Sequence, residues 1–202
     1  MLKSLTKSIN LLSAGYSYFK SSATGKAVVY GMPPAIGVEL TNHCNLHCPE
    51  CLTGSGGMKR GCGFMEPEFF NRVITELKPY LLNINLYFQG ESLLHPSFSY
   101  FIRSSGNIRP VISTNGHYLS EENSMKIARS GLSKLIISLD GTDQAAYSAY
   151  RVNGSLKTVL EGIKNITDAV RKCRSSLKVE IQFLVNRCNE DQIPQARKLA
   201  TE

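Results

Sequence analysis

Tryptophan is absent, cysteine is sparse and no long apolar run occurs in this sequence. Each shortage removes a class of function. Six cysteines in 202 residues are too few for a small disulfide scaffold. No uninterrupted apolar stretch approaches the roughly 18 residues of a spanning helix, so an integral membrane protein is not expected. The G-x-G-x-x-G fingerprint of a dinucleotide-binding fold is missing, and the glycine-rich stretch 54–63 lacks the G-K-[S/T] ending of a phosphate loop. What remains is ordinary globular chemistry. With 42% hydrophobic and 19% charged residues, the chain is too apolar for disorder and long enough to bury a sizeable core.

Charge is unevenly spread. The chain carries 23 Lys+Arg against 16 Asp+Glu, yet Lys3, Lys7, Lys20 and Lys26 all precede the first acid, Glu39. The remaining body is nearly balanced, whereas a nucleic-acid enzyme more often carries a basic stripe across its body; no nucleic-acid partner is expected. The basic start is also amphipathic. Leu5, Ile9, Leu12, Tyr16 and Phe19 recur at three- or four-residue spacing, which predicts a helix with one apolar face, followed by a linker over 21–35. That face predicts packing on the following domain or, failing that, contact with a membrane surface. Asn10 and Ser13 interrupt the apolar stretch and no small-x-small cleavage site follows, so no secretory signal is read and the expected location is cytoplasmic. Residues 1–35 are thus an arm, and 36–202 the core.

The chemistry starts after a strand-like run, 36–41. Cys44, Cys48 and Cys51 follow in a C-x3-C-x2-C pattern within eight residues. In a cytosolic protein, thiolates this close converge on zinc or an iron–sulfur cluster rather than on disulfides. A structural zinc wants four closed ligands, for which Cys62, His43 or His47 are available. A four-iron cluster held by three cysteines instead leaves one iron open to a chelating substrate. A non-catalytic zinc or iron–sulfur module is therefore the competing reading.

The cysteine pattern after a first strand resembles the signature of the radical S-adenosylmethionine (SAM) superfamily. The resemblance implies a four-iron–four-sulfur cluster on Cys44, Cys48 and Cys51. It also implies SAM on the open iron, reductive cleavage to a 5′-deoxyadenosyl radical, and hydrogen abstraction from a substrate. Further segments resemble the same family in the same order. Gly90-Glu91 after the run 84–88 looks like the family's motif for the SAM ammonium. Thr114 and Asn115, closing the run 110–116, fall where the family borders SAM or substrate. Ser138 resembles the residue that bonds the SAM ribose, and Arg151 the one that clamps its carboxylate. Asp140 is a candidate for substrate or proton transfer. The apolar residues of 179–186 are candidates for adenine, with Asn189 as a polar group on the rim. One position departs: the residue before the third cysteine is often aromatic in the family and is Glu50 here.

Helical stretches are predicted over 66–81, 97–105, 120–130, 155–173 and 190–201, alternating with strands. Five such alternations predict an α/β fold, a partial parallel (βα) barrel of radical SAM type behind an N-terminal amphipathic helix. Every motif falls at the C-terminal end of a strand, where βα barrels gather their active groups. The family usually has six units, so five predict a fragment or a barrel left open. The motif spellings look closest to the branch carrying a C-terminal SPASM extension, although no such cysteine cluster is present. That branch implies a peptide or protein substrate and an electron donor such as flavodoxin or ferredoxin.

Overall fold

The computed structural model describes the backbone of residues 2–201 and the side chains of residues 5–201; the side chain of Lys3 lies outside the described residues. Five short strands form in sequence: β1 (Ala35–Gly37), β2 (Asn83–Asn85), β3 (Arg109–Thr114), β4 (Lys134–Ser138) and β5 (Lys178–Gln182). They pair in parallel and in chain order, β1-β2-β3-β4-β5. Each connection carries the chain back to the start of the next strand, which requires a crossover; helices supply it. The register aligns Ile36 with Ile84, Ile112 with Leu135, and Ile137 with Ile181. Ile84, Ile112, Leu135 and Ile137 are fully buried, so the sheet's covered face is a continuous aliphatic layer.

The helices are α1 (Leu2–Thr24), α2 (Pro67–Leu77), α3 (Phe98–Ser105), α4 (Glu121–Ala128), α5 (Gln144–Tyr150), α6 (Leu156–Cys173) and α7 (Ile193–Leu199). Their starts follow local chemistry. Pro67 opens α2, while Ser120, Asp143 and Ser155 cap α4, α5 and α6 by accepting backbone N–H bonds. Helix α6 buries Leu156, Val159, Ile166 and Ala169, while Leu160, Ile163 and Val170 pack at the margin of the same core. Helix α5 was not expected from the sequence. Its seven residues offer no helical stripe, and the Asp143 cap fixes it instead.

Strands β1 and β5 are edges, so among the described residues the barrel is partial. On β5, Lys178, Glu180 and Gln182 face solvent while Val179 and Ile181 pack on the core.

The arm differs from expectation in the orientation of its helix. Helix α1 runs to Thr24, and its apolar stripe points outward: Leu12 is 74% and Phe19 70% exposed. The face turned inward is polar. Residues 25–32 run back along the helix, and their backbone groups need partners. Asn10 supplies two, donating from Nδ2 to the Met32 carbonyl (2.9 Å) and accepting from the Met32 N–H (2.8 Å). Ser17 Oγ accepts from the Tyr30 N–H and Ser21 Oγ from the Val28 N–H. Satisfying this seam fixes the helix's rotation and leaves Leu5, Ile9, Leu12, Tyr16 and Phe19 in water.

Candidate active site

At the C-terminal ends of the strands, the loop after β1 carries Cys44, Cys48 and Cys51. Three neighbouring elements hold its shape. From β2, Gly90 adopts φ +76°, and a Cβ there would stand 2.4 Å from the Thr41 carbonyl oxygen and 2.7 Å from the Asn42 Cα. Only glycine permits this contact. It brings the Glu91 N–H onto the His43 carbonyl at 2.7 Å. From β3, Asn115 Nδ2 donates to Asn45 Oδ1 at 2.8 Å and faces Cys44 Sγ at 3.9 Å. From the turn after α5, the Val152 carbonyl accepts the His47 N–H, and Asn153 Nδ2 meets His47 Nδ1 at 2.8 Å. The loop also closes on itself, since Gly54 lies so near Cys48 that a Cβ would stand 2.6 Å from its backbone.

Glu91 ties β2 to β3. Its carboxylate, 2% exposed, accepts from the Leu93 and Asn115 N–H groups and from Thr114 Oγ1. Burial nonetheless pushes its pKa up, against the pull of those donors and of Arg151. Asp140 is likewise committed. Its Oδ2 pairs with Arg151 Nε at 2.5 Å, Oδ1 accepts the Leu184 N–H, and its own carbonyl accepts from Asn189 Nδ2. The pair is buried, with 1% of the Asp140 and 17% of the Arg151 side chain exposed. Asp140 therefore aims the guanidinium, whose Nη1 faces Cys48 Sγ at 3.8 Å.

Cys44, Cys48, Cys51, Gly90, Glu91, Thr114, Asn115, Ser138 and Arg151 all line one cavity of about 210 Å³. The Ser138 hydroxyl, at the mouth of β4, forms no hydrogen bond within the described residues and is open to a ligand. Other residues do not meet the expectations set for them. Asn189 is fully buried and braces the turn after β5 by donating to Asp140 and Leu184 carbonyls, so it is no rim group. Asp140 does not line the cavity, and neither does any residue of β5. The aromatic residues that do line it, Tyr87, Phe88 and Tyr150, gave no signal in the spacing, although Tyr150 directly precedes Arg151. Gln89 was also missed; its Oε1 accepts from Thr53 Oγ1 at 3.1 Å and lies 3.7 Å from Cys51 Sγ.

The histidines are structural. His95 Nδ1 accepts the Ser97 N–H while Nε2 meets the Met65 carbonyl, and His117 Nε2 accepts the Ser155 N–H. Both rings are held neutral, and burial lowers both pKa values. His43 stacks on Phe64, and Cys62 is exposed.

The three cysteines are free thiols. Among the described residues no three His, Cys, Asp or Glu side chains converge closely enough to hold one metal ion. Three free thiols on one cavity wall offer an iron–sulfur cluster one thiolate for each of three iron atoms. Burial pushes the Cys44 and Cys48 thiols up, a cost that coordination offsets by adding positive charge beside each sulfur. The donor set fits a cluster, with Ser138 and the free edge of Arg151 left over for a second ligand. The Glu91 carboxylate, already bonded to Leu93, Thr114 and Asn115, is a fixed negative charge on the wall.

The family model described as the radical SAM superfamily matches residues 38–180. The chain belongs to that superfamily. Radical SAM proteins use a four-iron–four-sulfur cluster and SAM, the two groups for which this cavity has donors. Among curated proteins, the chain is 27% identical to the Fe-coproporphyrin III synthase of Methanosarcina barkeri, over 80% of this chain and 39% of that protein. It is 29% identical to the mycofactocin maturase MftC of Mycolicibacterium smegmatis, over 80% of this chain and 40% of that one. This radical SAM chain thus spans about 40% of the length of the curated relatives it matches. Among solved structures, Streptococcus suis SuiB bound to the precursor peptide SuiA superposes with a TM-score of 0.53 at 15% identity, covering 93% of this chain and 51% of that one. At that identity the likeness shows the fold.

Proposed function

We propose that residues 36–202 form the catalytic core of a radical SAM enzyme acting on a peptide or protein, and that residues 1–35 are an appended arm. The observation that carries this reading is the gathering of the three cysteines and the six SAM-site candidates on one cavity. Cys44, Cys48 and Cys51 would hold the cluster. Glu91 would face an ammonium beside Gly90, the free edge of Arg151 would take a carboxylate, and Ser138 would bond a ribose hydroxyl. Thr114 and Asn115 fix Glu91 and the cluster loop against each other, while Asp140 keeps Arg151 from swinging away. Tyr87, Phe88 and Tyr150 offer rings to the adenine that Glu50 cannot stack on. When bound, cluster and SAM supply one-electron cleavage of the sulfonium and a radical that abstracts hydrogen.

The peptide class is supported by SuiB, which is bound to a precursor peptide, and the branch spelling points the same way. Among the described residues no helix is long and apolar enough to cross a membrane. We place the enzyme in the cytoplasm, reduced by a flavodoxin or ferredoxin.

The test is anaerobic reconstitution with iron and sulfide, followed by reduction. A four-iron EPR signal that changes on adding SAM is expected, with 5′-deoxyadenosine released. The Cys44→Ala variant is expected to release none. Zinc retention, or a cluster spectrum indifferent to SAM, overturns the reading.

A further inference from the structure

The outward stripe of α1 is a feature that the active site does not use. Leu5, Ile9, Leu12, Tyr16 and Phe19 are each more than half exposed, and Val29 and Tyr30 extend the apolar surface beside them. From Leu5 to Phe19 the stripe runs about 21 Å. Its orientation is built in, because the polar seam of Asn10, Ser17 and Ser21 holds the opposite face against residues 25–32. Contiguous apolar surface of this kind marks a contact.

Charge decides which contact. Residues 1–35 carry four lysines and no acid. Lys7 also lies within electrostatic reach of Lys78 and Arg109, whose like charges, after burial, lower its pKa. Arg109 begins β3 and Lys78 follows α2, so these cations gather at the N-terminal ends of the strands, opposite the cavity. A second copy seated on the stripe would set lysines against lysines with no acid to offset them. An anionic bilayer answers both features: apolar side chains enter the acyl boundary, and tyrosines suit the interface. Lys20, which sits beside the Tyr16 and Tyr30 rings, and Lys26 past the helix end meet headgroup phosphates.

We infer that α1 is an interfacial helix that docks this protein on an anionic lipid surface through Leu5, Ile9, Leu12, Tyr16 and Phe19. Docked there, the sheet stands with its cavity facing away from the lipid. The inference does not depend on the radical SAM chemistry.

The test is flotation of the purified chain with phosphatidylcholine vesicles, with and without phosphatidylglycerol. The protein is expected to float with the anionic vesicles only and to be released by salt. The Leu12→Asp/Phe19→Asp pair is expected to weaken partitioning roughly tenfold or more, and Lys26→Gln roughly fivefold. Both positions of the pair are largely exposed, so melting temperature and 5′-deoxyadenosine release are expected to match the parent. Loss of flotation with release intact separates this contact from the chemistry. The unaltered protein carries the test alone through lipid composition and salt. Absence of flotation, equal binding to neutral vesicles, or self-association that the Asp pair abolishes would each overturn the inference.

Discussion

At the C-terminal ends of the strands, Glu91, Thr114, Asp140 and Asn189 are buried and hydrogen-bonded, and aliphatic side chains fill the layer beneath them. At the other end, α1 hides Asn10 and Ser17 and shows Leu12 and Phe19 to solvent. Both regions bury polar groups, but for different purposes. The cavity end uses them to hold several strand ends in one geometry. The arm uses them to fix the rotation of a single helix, leaving its apolar face for something else. Burial of polar atoms therefore identifies what each region positions: a ligand cage in one, a surface in the other.

Three substitutions or conditions sharpen that contrast. The largest effect is expected from Gly90→Ala, which forces a Cβ against the backbone at 41–43 and should cost about 3 kcal/mol of stability in denaturant titration, together with SAM affinity. If Gly90→Ala melts with the parent, the strand ends are not clamped as described. Next, Asn10→Ala removes both bonds to Met32 and should cost about 1–2 kcal/mol. Hydrogen exchange is expected to rise across 25–33 and to stay unchanged at β3 and β4. Uniform acceleration would mean that arm and core unfold as one unit.

The smallest effect is a pH dependence confined to the core. His95 and His117 have folded-state pKa values below the ordinary 6.5, so the unfolded chain binds protons first. Their contribution is full above that value and is lost as pH falls below it. Urea midpoints are expected to drop on acidification, and His95→Gln/His117→Gln should flatten the slope. The arm holds no histidine, so exchange at 25–33 should not follow the same curve.

Much of the cavity was legible in the sequence. Strand-end motifs are local: β-runs break into Cys44, Gly90-Glu91, Asn115-Gly116 and Ser138 within a few residues, and a parallel sheet in chain order sets such ends side by side. What escaped depends on partners distant in the chain. Asp140 reads as a free carboxylate until Arg151 and the Leu184 N–H are brought against it. Asn189 reads as a surface residue, yet its amide closes a turn from within. The rotation of α1 was misread because periodicity shows that a helix has an apolar face and not which way it points. Hydrogen-bond demand from 25–32 decides that, and it leaves no periodic trace.

One consequence of the clasped cysteine loop concerns order in time. Small zinc modules fold only as their metal arrives. Here Gly90, Asn115 and Asn153 hold the loop from outside and Gly54 closes it from within, all through protein–protein contacts. Folding can then be finished before iron and sulfide are delivered. Cluster loading would then follow folding rather than drive it.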